Sequence, residues 1–77
     1  MMDENKRIGV ILRHLRKKKK MSQIDLAKKA GVIQKTISDI ERGKTSATIN
    51  ILDQIFSVLG YKLDPVKMDN IIKVIRE

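Results

Sequence analysis

Between Ser22 and Gly43 the chain reads SQIDLAKKAGVIQKTISDIERG, and one glycine, Gly31, divides this stretch into two segments, each long enough for a short helix. The Ser22 hydroxyl can accept from the free amides of a first turn while Asp25 reaches back to the Ser22 amide, so a helix starts here. Leu26, Ala27 and Ala30, with Ile24 close to the same spacing, form a narrow apolar stripe with small residues where another backbone must approach. Gly31 ends this helix, because glycine enters the left-handed conformation without a Cβ penalty and can swing the chain through a short turn. A second helix starts near Ile33. It buries Ile37 and Ile40, with Val32 beside them, and leaves Gln34, Lys35, Ser38 and Asp39 on the opposite side, free to read something.

The 77 residues, 42% of them hydrophobic, can build a single modest core, and a chain this small often needs a partner. There is no cysteine, which excludes disulfides and thiolate metal sites and is compatible with a reducing cytoplasm. The first residues, MMDENKR, lack the apolar run of a signal peptide, and no stretch approaches the length of a transmembrane helix, so a cytoplasmic protein is expected. Seventeen Lys and Arg against nine Asp and Glu leave a net charge of +8, which attracts polyanions. With one Tyr and one Phe there is no aromatic platform for unpaired bases, so duplex DNA fits better than RNA. An anionic membrane fits worst, since a basic amphipathic first helix would have to give up the apolar face that the core needs. No catalytic constellation, metal site or cofactor is expected: the one histidine, His14, lies off the apolar stripe, and there is no Gly-rich phosphate loop and no pair of acids with an evident pocket.

Along the chain the pattern predicts an all-α fold of five helices with one short extended segment before the last. The first runs from about Asp3 to Lys19, with Ile8, Ile11, Leu12 and Leu15 on one face, acids at its start and Lys17 to Lys20 at its end, as the helix dipole favours. That lysine run reads as a solvated helix end, of which one or two members approach DNA. Thr48 caps the fourth helix, whose Ile49, Leu52, Ile55, Phe56 and Leu59 complete the core before Gly60 ends it. Tyr61-Lys62-Leu63 alternates and reads as extended, while Asp64 and Pro65 supply the cap and first position of a fifth helix. That helix would carry Val66, Met68, Ile71, Ile72, Val74 and Ile75, more apolar surface than an isolated tail helix should expose. Residues 1–60 are thus expected to form the DNA-binding domain. Residues 61–77 are expected to form a self-association or partner-docking tail, with Tyr61, Leu63, Val66, Ile71, Ile72 and Ile75 on its surface; folding back onto the chain's own core is an equal alternative.

The residue pairs and triplets Ser22-Gln23, Leu26-Ala27, Gly31-Val32, Thr36-Ile37-Ser38 and Glu41-Arg42-Gly43 resemble the Cro/C1-type (XRE family) helix-turn-helix of phage repressors and of many bacterial regulators and antitoxins. The likeness extends upstream to Leu12 and Leu15-Arg16 and downstream to Thr48-Ile49, Leu52, Ile55 and Leu59-Gly60. It implies a lambda-repressor-like arrangement in which Gln34, Lys35 and Ser38 point into the major groove. It also implies that Gln23, Thr36, Arg42, Lys44 and Thr45 meet phosphate, and that Arg16 and Glu41 form a structural ion pair. The side-chain chemistry agrees: Gln pairs with adenine N6 and N7, Lys with guanine O6 or N7 or with phosphate, and Ser with either kind of edge. Asp39 can only accept, so it meets cytosine N4 or, the favoured reading, is a surface or cap residue. Three positions depart from the pattern. Lys20 stands where a glycine commonly ends the first helix, so it is strained by on the order of 1 kcal/mol or the helix ends differently. Ile33 stands where Ser or Thr often caps the recognition helix; it cannot cap, and either contacts a thymine methyl or leaves the helix start to the turn. Ala47 replaces a frequent proline.

The expected protein is a sequence-specific, double-stranded DNA-binding transcriptional regulator, a homodimeric repressor on an inverted repeat. The alternative is an antitoxin. The tail resembles HipB-type antitoxins, in which a strand of this kind pairs with its copy from a second subunit, and that likeness implies a HipA-like toxin kinase as partner.

Overall fold

Side-chain capping marks where three helices of the computed structural model begin. The structure describes residues 3–44, 47–66 and 71–77. Asp3 caps α1 (Glu4–Lys18) by accepting from the Lys6 amide at 2.8 Å. Ser22 opens α2 (Gln23–Ala30) with the reciprocal pair that the spacing predicts: its hydroxyl accepts from the Asp25 amide at 2.9 Å, and the Asp25 carboxylate accepts from the Ser22 amide at 3.4 Å. The hydrogen bonds at Ser22 hold the Asp25 carboxyl below the usual carboxylate range. Thr48 caps α4 (Ile49–Val58) by accepting from the Ile51 amide at 3.2 Å. Ile33 precedes α3 (Gln34–Glu41) with extended backbone and no side-chain cap.

The exit from α1 resolves the question at Lys20. This lysine takes the left-handed conformation, φ +57°, the one non-glycine among the described residues with a positive φ. Its amide donates to the Lys17 carbonyl at 2.9 Å and the Met21 amide donates to the Arg16 carbonyl at 3.2 Å, the two bonds of a Schellman ending. The helix therefore ends as a glycine would end it, with the Cβ strain retained.

Against one another, the helices bury Leu12, Leu26, Ile37, Ile55, Phe56 and Leu59 almost completely, each stabilising the fold by roughly 1.5–3 kcal/mol relative to exposure. Gly9, which the apolar pattern does not single out, sets how closely α1 meets α3. A Cβ there would lie 2.2 Å from the Ile40 carbonyl oxygen and 2.9 Å from that of Glu41. Gly43 plays the same part at the start of α1, where an added Cβ would come within 2.7 Å of Lys6 Cγ and 3.0 Å of Lys6 Cα.

After Gly60 the structure corrects the five-helix expectation: the described residues form four helices and a two-stranded antiparallel sheet. Strand β1 (Tyr61–Val66) pairs with β2 (Ile71–Arg76) in the register Tyr61↔Arg76 through Val66↔Ile71. The segment IIKVI carries apolar residues at positions that suit a helix, but four of its five residues are β-branched and its alternation also suits a strand. Tertiary contact decides for the strand: Tyr61, Leu63, Ile72 and Val74 all turn to one face and pack on the core. The extended segment that starts at Tyr61 thus finds its ladder partner within its own chain. Pro65, with Asp64 before it, does not open a helix. It opposes Ile72, and having no N–H it can occupy only a non-hydrogen-bonded pair, so the ladder loses nothing.

By the same alternation, the amides and carbonyls of Leu63 and Ile72 point away from the partner strand. The Leu63 amide donates to Asp53 Oδ1 at 3.1 Å. Both backbone groups of Ile72 are taken by α1: its amide donates to the Glu4 carboxylate and its carbonyl accepts from the Arg7 guanidinium. Arg7 and Glu4 pair with each other, Nε to Oε1 at 2.6 Å and Nη2 to Oε2 at 2.9 Å. The hydrogen bond from Arg7 is the main reason that the Glu4 carboxyl titrates below its ordinary range.

Candidate nucleic-acid interface

Helix α3 stands on the core by Ile37 and Ile40, which are 0% and 2% exposed, and this anchoring turns Gln34 and Lys35 to the surface. Lys35 Nζ donates to Asp39 Oδ2 at 2.8 Å across one turn, and that hydrogen bond holds the Asp39 carboxyl below the usual range. The favoured surface reading of Asp39 thus gains a specific partner. The Lys35 side chain remains 77% exposed, and an exposed pair across one helical turn is among the weakest interactions in a fold, so the ammonium is free to exchange Asp39 for another anion.

Behind this surface, Arg16 and Glu41 are brought together as expected, and closely. Nε and Nη2 of Arg16 donate to the two carboxylate oxygens of Glu41 at 2.7 and 3.0 Å, and Nη1 donates to the Met21 carbonyl at 2.8 Å. The paired side chains are 10% and 4% exposed, so α1 is tied to the end of α3 by a desolvated, bidentate bridge. Gln23, the first residue of α2, extends the bridge: its Nε2 donates to Glu41 Oε1 at 3.2 Å, while its Oε1 accepts from Gln34 Nε2 at 3.5 Å. The expected Arg16–Glu41 pair and two residues given other roles in the sequence, Gln23 and Gln34, therefore form one polar relay across three helices.

A cleft of about 230 Å³ opens over this relay, lined by Arg13, Arg16, Gln23, Ser38, Glu41 and Arg42. Arg16 and Glu41 neutralise each other at its base. Arg13 and Arg42 are exposed and have no carboxylate partner among the described residues. Arg13 was not marked in the sequence, although it lies three residues before Arg16 and so on the same side of α1. Of the other expected site residues, Thr36 is half-buried in the first turn of α3 and Lys44 is exposed beyond Gly43. Thr45, Met68 and the side chain of Val66 lie outside the described part of the chain. Tyr61, Leu63 and Ile72, expected on an association surface, pack on the chain's own core, whereas Ile71 and Ile75 on the other face of the hairpin are 42% and 37% exposed. Among the described residues no group of His, Asp and Glu could hold a metal ion, and no helix is long and apolar enough to cross a membrane.

A helix seated on the core with a polar outer face, preceded across a glycine turn by a capped helix, defines a class of DNA-binding protein. A family model described as helix-turn-helix matches residues 12–66. The chain belongs to this family in its Cro/C1 form, and it is a DNA-binding transcriptional regulator. Over 57 residues it is 39% identical to the HTH-type transcriptional regulator y4mF of Sinorhizobium fredii, covering 74% of this chain and 75% of the relative. Over 59 residues it is 27% identical to the immunity repressor protein of Bacillus phage phi105, covering 77% of this chain but 41% of that longer protein. Among solved structures it is similar to the restriction-modification controller protein C.Esp1396I, crystallised as a tetramer with its natural 35 base-pair operator, at a TM-score of 0.71 and 30% identity, covering 77% of this chain and 78% of that one.

Proposed function

We propose that the chain represses transcription by occupying an inverted repeat as a homodimer, its two α3 helices entering major grooves about 34 Å apart. The observation that carries this reading is the exposed polar face of α3, held at a fixed angle by Ile37, Ile40 and the Arg16–Glu41 bridge. In this reading Gln34, Lys35 and Ser38 meet base edges. Gln23, Thr36, Arg42, Lys44 and Thr45 meet phosphates, and Arg13 joins them, because two guanidiniums with no carboxylate partner among the described residues, facing an amide and a hydroxyl, suit a phosphodiester. The phage relative is named as a repressor and the controller protein was crystallised as a tetramer on its operator, which supports both occupancy and self-association. Among the described side chains of the expected association surface, Ile71 and Ile75 remain exposed and available for it. The antitoxin reading rested on the tail after Gly60 and its likeness to a strand that pairs with a second subunit; with β1 paired instead to β2 of its own chain, and with relatives named as regulators, it is not carried further.

Selection of bound fragments from a random duplex pool tests the proposal: a two-fold symmetric consensus is expected, and the absence of any discrimination between selected and bulk DNA at low salt would overturn it. On the selected duplex, Gln34→Ala is expected to cost about 1–3 kcal/mol and relax one base position. Lys44→Ala should weaken binding to every sequence and reduce the salt slope by about one unit. Equal weakening by Gln34→Ala on all base-substituted duplexes, or an unchanged slope for Lys44→Ala, removes that residue from its role.

A further inference from the structure

Ile33 contributes little to the stability of the fold. It occupies the N-cap of α3 in the extended conformation, φ −84° and ψ 155°, and makes no side-chain hydrogen bond to the first turn, whereas Asp3, Ser22 and Thr48 each make one for the other three helices. The Thr36 amide, three residues on, which a hydroxyl at this position could serve, donates instead to the Ile33 carbonyl at 3.0 Å. Nor is the side chain buried: at 68% it is the most exposed large hydrophobic residue described, beyond Val10 at 53% and Ile24 at 48%. A position that forgoes a cap without gaining burial points to a use outside the fold.

Its neighbours indicate which use. Ile33 directly precedes Gln34, whose amide reaches Gln23 at the start of α2, so it stands at the leading end of α3 beside the polar face assigned to base reading. An aliphatic side chain cannot donate to a phosphate or to a base edge. On the edges exposed in the major groove, the one apolar group is the thymine C5 methyl. We infer that Ile33 is a specificity-determining residue that seats a thymine methyl in the target duplex. This rests on the DNA-reading role of α3 proposed above and adds to it the chemistry of one base position.

The test uses the full chain and the duplex recovered by selection, with each thymine of a half-site replaced in turn by deoxyuridine, which lacks only the methyl. At one thymine the replacement should weaken wild-type binding about fourfold, the effect of leaving one methyl unburied. Ile33→Ser should bind the thymine and deoxyuridine forms of that duplex equally, and its thermal midpoint should rise because serine supplies the missing cap. Ile33→Val should keep the discrimination. If the wild type distinguishes thymine from deoxyuridine nowhere in the half-site, or if Ile33→Ser distinguishes them as well as the wild type, the inference fails while the DNA-reading proposal stands. If selection returns no preferred duplex, both fail.

Discussion

Gly9→Ala opposes helix propensity to packing, and the two give opposite signs. Inside a helix, alanine is favoured over glycine by about 1 kcal/mol, so propensity alone makes the variant more stable. The structure reverses this. The new methyl would start 2.2 Å from the Ile40 carbonyl oxygen and 2.9 Å from the Glu41 carbonyl oxygen, both backbone atoms that no rotamer change can move. An ordinary carbon-to-carbonyl-oxygen contact is about 3.3–3.6 Å, so α1 and the end of α3 must part by on the order of 1 Å. A gap of about that size forfeits a quarter to a half of each dispersion contact along the seam formed by Ile8, Leu12, Ile37 and Ile40. Overpacking typically costs about 1–3 kcal/mol, and two immovable backbone oxygens place this site in the upper part of that range, about 2–3 kcal/mol, which outweighs the propensity gain and leaves the variant about 1–2 kcal/mol less stable. For a domain of this size that lowers the thermal midpoint by about 5–15 °C. Thermal and urea unfolding of the variant would measure it, with Val10→Ala, at a 53% exposed position on the same helix, as the control that shows propensity without a clash. A midpoint for Gly9→Ala equal to or above the wild type would refute the close approach of α1 and α3.

Two further perturbations test other features. Lys20→Gly removes a left-handed lysine at φ +57°, and the relief of about 1–2 kcal/mol exceeds the extra chain entropy of glycine, so calorimetry should show a stability gain of about 0.5–1 kcal/mol; a loss would mean that the Schellman ending is absent in solution. Glu4 titrates below its ordinary range because Arg7 hydrogen-bonds its charged form, so its stabilising contribution is complete above the ordinary glutamate value of about 4.3 and is lost as pH falls through the lower folded value. Glu4→Gln should therefore be less stable than the wild type at neutral pH, by less than about 1 kcal/mol for a partly exposed pair, and the two should converge in acid; parallel pH profiles would dissociate Glu4 from the hairpin.

Much of the helical part could be read directly because capping is local. Ser22 with Asp25, Thr48, Gly31 and Gly60 act within a few residues of themselves, and each marks a boundary in the structure where the pattern places it. The Arg16–Glu41 bridge was legible through family likeness rather than spacing, since 25 residues separate the partners. What escaped depends on distant elements. Residues 71–75 suit a helix and a strand alike, and the choice falls to the core beneath Ile72 and Val74 and to Glu4 and Arg7, more than sixty residues away. Gly9 reads as an ordinary small residue until α3 is laid against it, and Arg13 as a surface charge until Ser38 and Arg42 close the cleft around it.

The clamp that Glu4 and Arg7 place on Ile72 makes α1 a guard for β2. A bare outer margin of a two-stranded ribbon invites a foreign strand to add itself, and repeated addition leads to fibrils. Here the groups that would welcome the newcomer at Ile72 are already engaged by an ion pair that also shields them with charge. Fraying of the first turn of α1 would accordingly unmask a polymerisation template at Ile72, so insolubility of the whole protein can originate in a single helical turn.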